Sequence, residues 1–167
     1  MLFSTNNILV PIDFTDTCRK AISMALQMAC GGGETKVHLL TVEGNIGKVL
    51  KKRLDNLPLG DDLVEDTLES LTTSLTDICD HEFDALLKAD PSIKKPAIQA
   101  HVAGGDVLED CLMFVDELEV DLLIIGTHGR EKGIVSRHYA TISEKLVEQA
   151  PCSVLVIKPD GYPFLTD

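Results

Sequence analysis

Asp121-Leu122-Leu123-Ile124-Ile125-Gly126-Thr127-His128-Gly129 is the stretch whose reading decides the fold. Leu122 to Ile125 form an unbroken apolar run with no polar alternation, the mark of a strand buried on both faces, as in a parallel sheet covered by helices. Two glycines then follow, three positions apart. Glycine at such a strand end lets the backbone approach a ligand closely and turn its N–H groups toward an anion.

Outward from this strand the same grammar repeats. Upstream, Asn7-Ile8-Leu9-Val10-Pro11-Ile12 is another doubly buried run, ending at Asp13. Thr15, Asp16 and Thr17 supply N-caps for a helix that buries Cys18, Ala21, Ile22, Ala25, Met28 and Ala29, until Gly31-Gly32-Gly33 stops it. Lys36-Val37-His38-Leu39-Leu40-Thr41-Val42 predicts a second strand, followed by a long connection over 43–60 with Lys48, Lys51, Lys52, Arg53 and Pro58. Val64, Leu68, Leu71, Leu75, Ile78 and Leu86 then recur at intervals that place one apolar stripe on a helix from Asp61 to about Lys88. Ala97-Ile98-Gln99-Ala100-His101-Val102 predicts a third strand. Its helix starts at an Asp106/Glu109 capping box and presents Leu108, Cys111, Leu112, Val115 and Leu118. Downstream of Gly129, a helix closes at Ala150-Pro151 and Ser153-Val154-Leu155-Val156-Ile157-Lys158 predicts the fifth strand. Five strands alternating with four helices, with right-handed crossovers, predict an α/β domain: an open parallel sheet with helices on both faces.

At 167 residues the chain has the length of one ordinary domain, read here as a single unit with its core over 6–159 and a tail at 160–167. A net charge of −12 repels a phosphate backbone, so the expectation is no nucleic-acid partner. The apolar runs fall short of the roughly 20 residues that span a bilayer, so no membrane span is expected. Met1-Leu2-Phe3-Ser4-Thr5-Asn6-Asn7 lacks the features of a signal peptide, and the expected location is the cytoplasm. Cys18, Cys30, Cys79, Cys111 and Cys152 are odd in number and lack C-x-x-C spacing, which predicts reduced and mostly buried thiols.

In open α/β sheets a ligand sits beyond the carboxyl ends of the strands, where strand order reverses. The first and fourth strands flank that point, bringing Asp13 and Gly126-Thr127-His128-Gly129 to one crevice. Thr141 and Glu144 form a second capping box, whose helix N-terminus suits a phosphate. Arg130, Lys132, Arg137 and His138 make the intervening loop basic. These features alone leave both anion binding and an ordinary capped loop open. There is no P-loop motif. His38 and His101 read as satisfied strand residues, Cys79 with His81 has no further ligands at zinc spacing, and no metal site is expected.

Four blocks carry a resemblance. Val10-Pro11-Ile12-Asp13-Phe14, Gly105-Asp106-Val107, Asp121 through Arg130, and Ala150-Pro151-Cys152-Ser153-Val154-Leu155-Val156 resemble, in order, the signature blocks of the universal stress protein family. The resemblance implies a sheet of order 3-2-1-4-5, the adenine nucleotide alpha hydrolase-like arrangement. It also implies a homodimer through the fifth strand and, in one branch, an ATP or AMP site with the pattern G-x2-G-x9-G-[S/T], with Mg²⁺ accompanying ATP. On that basis Pro11, Asp13 and the backbone at Val42 face ribose and adenine. Gly126, His128, Gly129, Arg130, Ala140, Thr141 and Ile142 surround the phosphates. The pattern departs at one place: ten residues, 130–139, follow Gly129, and Ala140 stands where the family has glycine. Its Cβ lies where the family brings bare backbone. The implied role is a nucleotide-binding regulator of the stress response. The alternatives are a dimeric interaction module without nucleotide, favoured by Ala140, and a slow ATPase, for which Asp13 with His128 is the one candidate pair.

Overall fold

The computed structural model describes residues 5–14, 16–31, 34–43, 61–127 and 141–160, with the side chains of 61–65 set aside. The connection over 44–60, the basic segment 128–140 and the tail 161–167 lie outside the described residues.

Five strands, β1 (Asn7–Pro11), β2 (Lys36–Val42), β3 (Ala97–Ala103), β4 (Leu122–Gly126) and β5 (Ser153–Ile157), form one sheet in the order β3-β2-β1-β4-β5. Every neighbouring pair is parallel. The chain steps outward from β1 to β2 and β3, then returns to the other side of β1 for β4 and β5. Strand order therefore reverses between β1 and β4, as the sequence predicts.

Alternation along the strands divides the core into two layers. Ile8, Val10, Val37, Leu39 and Ile124 face α1 (Asp16–Gly31) and α2 (Asp61–Ala89). Leu9, Leu40, Leu123 and Ile125 face α3 (Val107–Glu117) and α4 (Ile142–Gln149). On α1 the spacing of Cys18, Ala21, Ile22, Ala25, Leu26 and Ala29 makes one buried stripe, whose small residues let the helix lie close on the sheet. Met28, expected on that stripe, is instead 41% exposed, and Leu26 takes the buried place. The stripe on α2 narrows to Leu75, Cys79 and Phe83, while Leu68 is 38% exposed. The described N-terminal part of α2 continues the apolar pattern beyond the layer it packs on.

Local chemistry sets the ends of the elements. Asp106 caps α3 by accepting from the N–H groups of Leu108 (2.9 Å) and Glu109 (3.1 Å). The return bond comes from Asp110, which accepts from the Gly105 N–H at 2.9 Å. At the amino edge of the sheet the Asp121 carboxylate accepts from the backbone N–H groups of Asn6 (2.7 Å) and Asn7 (3.0 Å), joining the starts of β1 and β4.

All five cysteines are thiols, with Cys18, Cys79 and Cys111 buried. Burial pushes the Cys79 and Cys111 thiols up to about 12, which leaves them protonated and unreactive at neutral pH. Among the described residues no helix is long and apolar enough to cross a membrane.

Candidate functional site

The floor of the site is the β1–α1 junction. Beyond the end of β1 the chain stays pinned to β2: the Ile12 N–H donates to the Leu40 carbonyl at 2.7 Å, and the Thr41 hydroxyl donates to the Ile12 carbonyl at 3.2 Å. Phe14 then adopts φ 61°, the left-handed conformation that a bulky L-residue rarely takes. That turn reverses the chain into α1 and leaves the Asp13 side chain exposed at the carboxyl edge of the sheet. Cys18, buried in the first turns of α1, sits directly beneath. Its Sγ accepts from the Asp13 N–H at 3.3 Å and lies 2.6 Å from Asp13 Oδ1 as a donor.

The far wall is the end of β4. A Cβ added to Gly126 would come within 3.0 Å of Thr17 Cγ2 and 3.2 Å of the Thr17 carbonyl carbon, so a larger residue here would press on the start of α1. Thr127 then donates through its N–H (2.9 Å) and its hydroxyl (3.3 Å) to the Ile157 carbonyl, tying β4 to β5. The chain must return from there to the amino end of β5, so α4 runs antiparallel to the strands and begins on the carboxyl side. The bond from Ser153 N–H to the Asp121 carbonyl, just after α4, fixes that other end at the amino edge. Thr141 caps α4 as the sequence predicts. Its hydroxyl accepts from the Glu144 N–H at 3.3 Å, and the Glu144 carboxylate accepts from the Thr141 N–H at 2.6 Å.

The sequence model of the Universal stress protein family matches residues 4–158 of this chain. The chain belongs to the universal stress protein family. A curated relative, Universal stress protein A homolog 1 of Coxiella burnetii, is 23% identical over 152 residues, covering 90% of this chain and 94% of its own length. Among solved structures, a universal stress protein in complex with cAMP superposes with a TM-score of 0.64 at 15% identity, covering 93% of this chain and 98% of that one. A universal stress protein family protein of Arabidopsis thaliana with AMP bound gives 0.55 at 17% identity, covering 97% of each chain. At these identities the structural likenesses establish the fold, and they agree with the order 3-2-1-4-5 that the four signature blocks imply.

In this universal stress protein Pro11, Asp13, Val42 and Gly126 lie at or just beyond the carboxyl ends of β1, β2 and β4, while Thr141 and Ile142 open α4 on the same side. Val42 is held there by the bond from Glu43 N–H to the Ala103 carbonyl at 3.0 Å. His128, Gly129, Arg130 and Ala140 lie outside the described residues. Cys79 is buried in the core, as expected of the thiols, and His81 is exposed. Two residues the sequence reading passed over now border the site: Thr17, packed on Gly126, and Cys18, under Asp13. Their signal was present in the short distance between the Asp13 strand end and the first helical turn, which forces residues 16–18 against whatever that strand end holds.

Proposed function

We propose that this universal stress protein, as a single unit over about 6–159, binds AMP or ATP in the crevice between the carboxyl ends of β1 and β4 and acts as a regulator in the stress response. The observation that carries this reading is the exposed Asp13 carboxylate just beyond the end of β1, next to the strand that ends at Gly126, at the point where strand order reverses. The capped start of α4 lies on the same side of the sheet. A carboxylate there accepts from ribose hydroxyls or the adenine amino group, the Val42 backbone borders the base, and the turn after Gly126 with Thr141 receives phosphate. The family pattern assigns His128, Arg130 and Ala140 to the same phosphate end. The family relatives solved with cAMP and with AMP bound support an adenine ligand for this fold.

Saturating AMP, or ATP with Mg²⁺, is expected to stabilise the protein. A ligand at 100 times its Kd adds about 2.7 kcal/mol to the native state, a rise in Tm of about 5–10 °C for a domain of this size. No shift with AMP, ADP or ATP would overturn the reading in favour of a nucleotide-free interaction module. Thr141→Ala is expected to lose about 0.5–2 kcal/mol of stability and, as a separate effect, to weaken nucleotide binding. Affinity that survives while stability drops would make Thr141 a helix cap alone.

We also propose a homodimer through β5. This strand forms one edge of the sheet, and Val154, Leu155, Val156 and Ile157 are only half-buried. An uncharged apolar edge pairs readily, and two copies related by a twofold axis satisfy each other's open backbone groups. Light scattering over a dilution series is expected to show a dimer that Val156→Lys dissociates. A persistent monomer, or a dimer indifferent to Val156→Lys, would refute the β5 interface.

A further inference from the structure

Asp13 is exposed on a turn, where a carboxylate ordinarily samples several rotamers, yet its geometry is tied to a buried group. Cys18 is 4% exposed and packs in the same apolar layer as Ile12 and Ile22. Side chains in the first turns of a helix lean back toward its N-terminus, here toward the turn that carries Asp13. The sulfur meets Asp13 twice, accepting from its N–H at 3.3 Å and approaching Oδ1 to 2.6 Å. The Pro11 carbonyl lies farther from the sulfur, at 3.8 Å, than the Asp13 carboxylate oxygen does. A donor to a charged acceptor from a dry side of the site is stronger than the same bond in water.

We infer that Cys18 is a positioning residue that holds the Asp13 carboxylate in the orientation a nucleotide requires. This rests on the reading of Asp13 as a nucleotide contact and extends the site into the core, to a residue that never meets the ligand. The thiol meets both the backbone and the side chain of Asp13 from the buried side of the turn.

The test uses the full chain with Cys18→Ala, Cys18→Ser and Asp13→Asn, singly and with Cys18→Ala and Asp13→Asn combined. Serine keeps a group that both donates to Oδ1 and accepts from the Asp13 N–H, whereas alanine removes both. Titration calorimetry with AMP is expected to show Cys18→Ala weaker by about 10-fold, the low end for a hydrogen bond to a charged group. Cys18→Ser should stay within about 2-fold of the unaltered protein. In the Asp13→Asn background Cys18→Ala should cost nothing further, since its effect runs through the carboxylate. A loss that persists undiminished in that background, or equal losses for serine and alanine, would overturn the inference. A second readout needs no nucleotide: the ¹³C resonance of the Asp13 side-chain carboxyl in the unliganded protein. It should move in Cys18→Ala and return toward its original position in Cys18→Ser. An unmoved resonance overturns the positioning role whether or not AMP binds, while failure of the unaltered protein to bind AMP counts against the nucleotide reading alone.

Discussion

Gly126→Ala is expected to destabilise the fold and weaken the site together. The added Cβ would stand 3.0 Å from Thr17 Cγ2, 3.1 Å from Thr17 Cβ and 3.2 Å from the Thr17 carbonyl carbon. A rotation of the threonine relieves only the first of these, because the other two atoms belong to the frame of α1. The helix must therefore shift by a few tenths of an ångström, against a buried stripe that begins one residue later at Cys18. Overpacking of this kind costs about 1–3 kcal/mol, a fall in Tm of about 3–10 °C for a chain of this length. AMP affinity should fall as well, since the displaced turn carries the residues beneath Asp13. Gly104→Ala is the internal control: a Cβ there meets nothing within 4 Å, and its stability should hold. Equal midpoints in urea for Gly126→Ala and the unaltered protein would show that the first turn of α1 yields freely and that Gly126 is required by its ligand alone.

The layout of strands was legible in the sequence because doubly buried parallel strands read as unbroken apolar runs. Lys36–Val42 begins and ends as predicted, and the other strands agree to within one residue at each end. Less legible was anything set by where one element stops covering another. Leu68 repeats the spacing of Leu75 on α2, yet it is exposed, because periodicity records a face and says nothing of how far its partner extends. At the site, the sequence located Asp13, Gly126 and Thr141 through strand ends and a capping box, which are local signals. It did not disclose Cys18 under Asp13 or Thr17 against Gly126. The first depends on Phe14 taking a left-handed φ that its residue type disfavours, and the second on how closely α1 approaches β4. His38 and His101 were each read as satisfied strand residues, but that they satisfy one another follows only from register. His101 lies opposite Leu40 on the face that Leu40 shares with His38, so the two rings meet diagonally across β2 and β3.

That histidine pair is expected to make the protein acid-sensitive well above the range in which carboxylates titrate. His38 Nδ1 lies 3.1 Å from His101 Nε2, and His38 Nε2 lies 3.3 Å from the Asn7 side-chain oxygen. The His101 ring also packs on Phe114 of α3, with centroids 5.2 Å apart. Burial, with the neighbouring His101 and Lys36 charges, holds the His38 imidazole below its ordinary range. Burial does the same for His101, partly opposed by Glu117. Both folded-state values therefore lie below the unfolded value of about 6.5. As pH falls through that value the unfolded chain takes up protons the native pair refuses, so the unfolded state binds more protons and stability falls with falling pH. The contribution is complete above about pH 6.5 and declines below it until the lowered native values are reached. Its slope approaches about 1.4 kcal/mol per pH unit for each proton of difference. Urea midpoints measured from pH 7.5 to 5.5 should therefore drop, and His38→Gln should flatten the decline by removing one of the two titrating rings. A midpoint that stays level across that interval, or a decline that His38→Gln leaves intact, would place the acid sensitivity outside this pair.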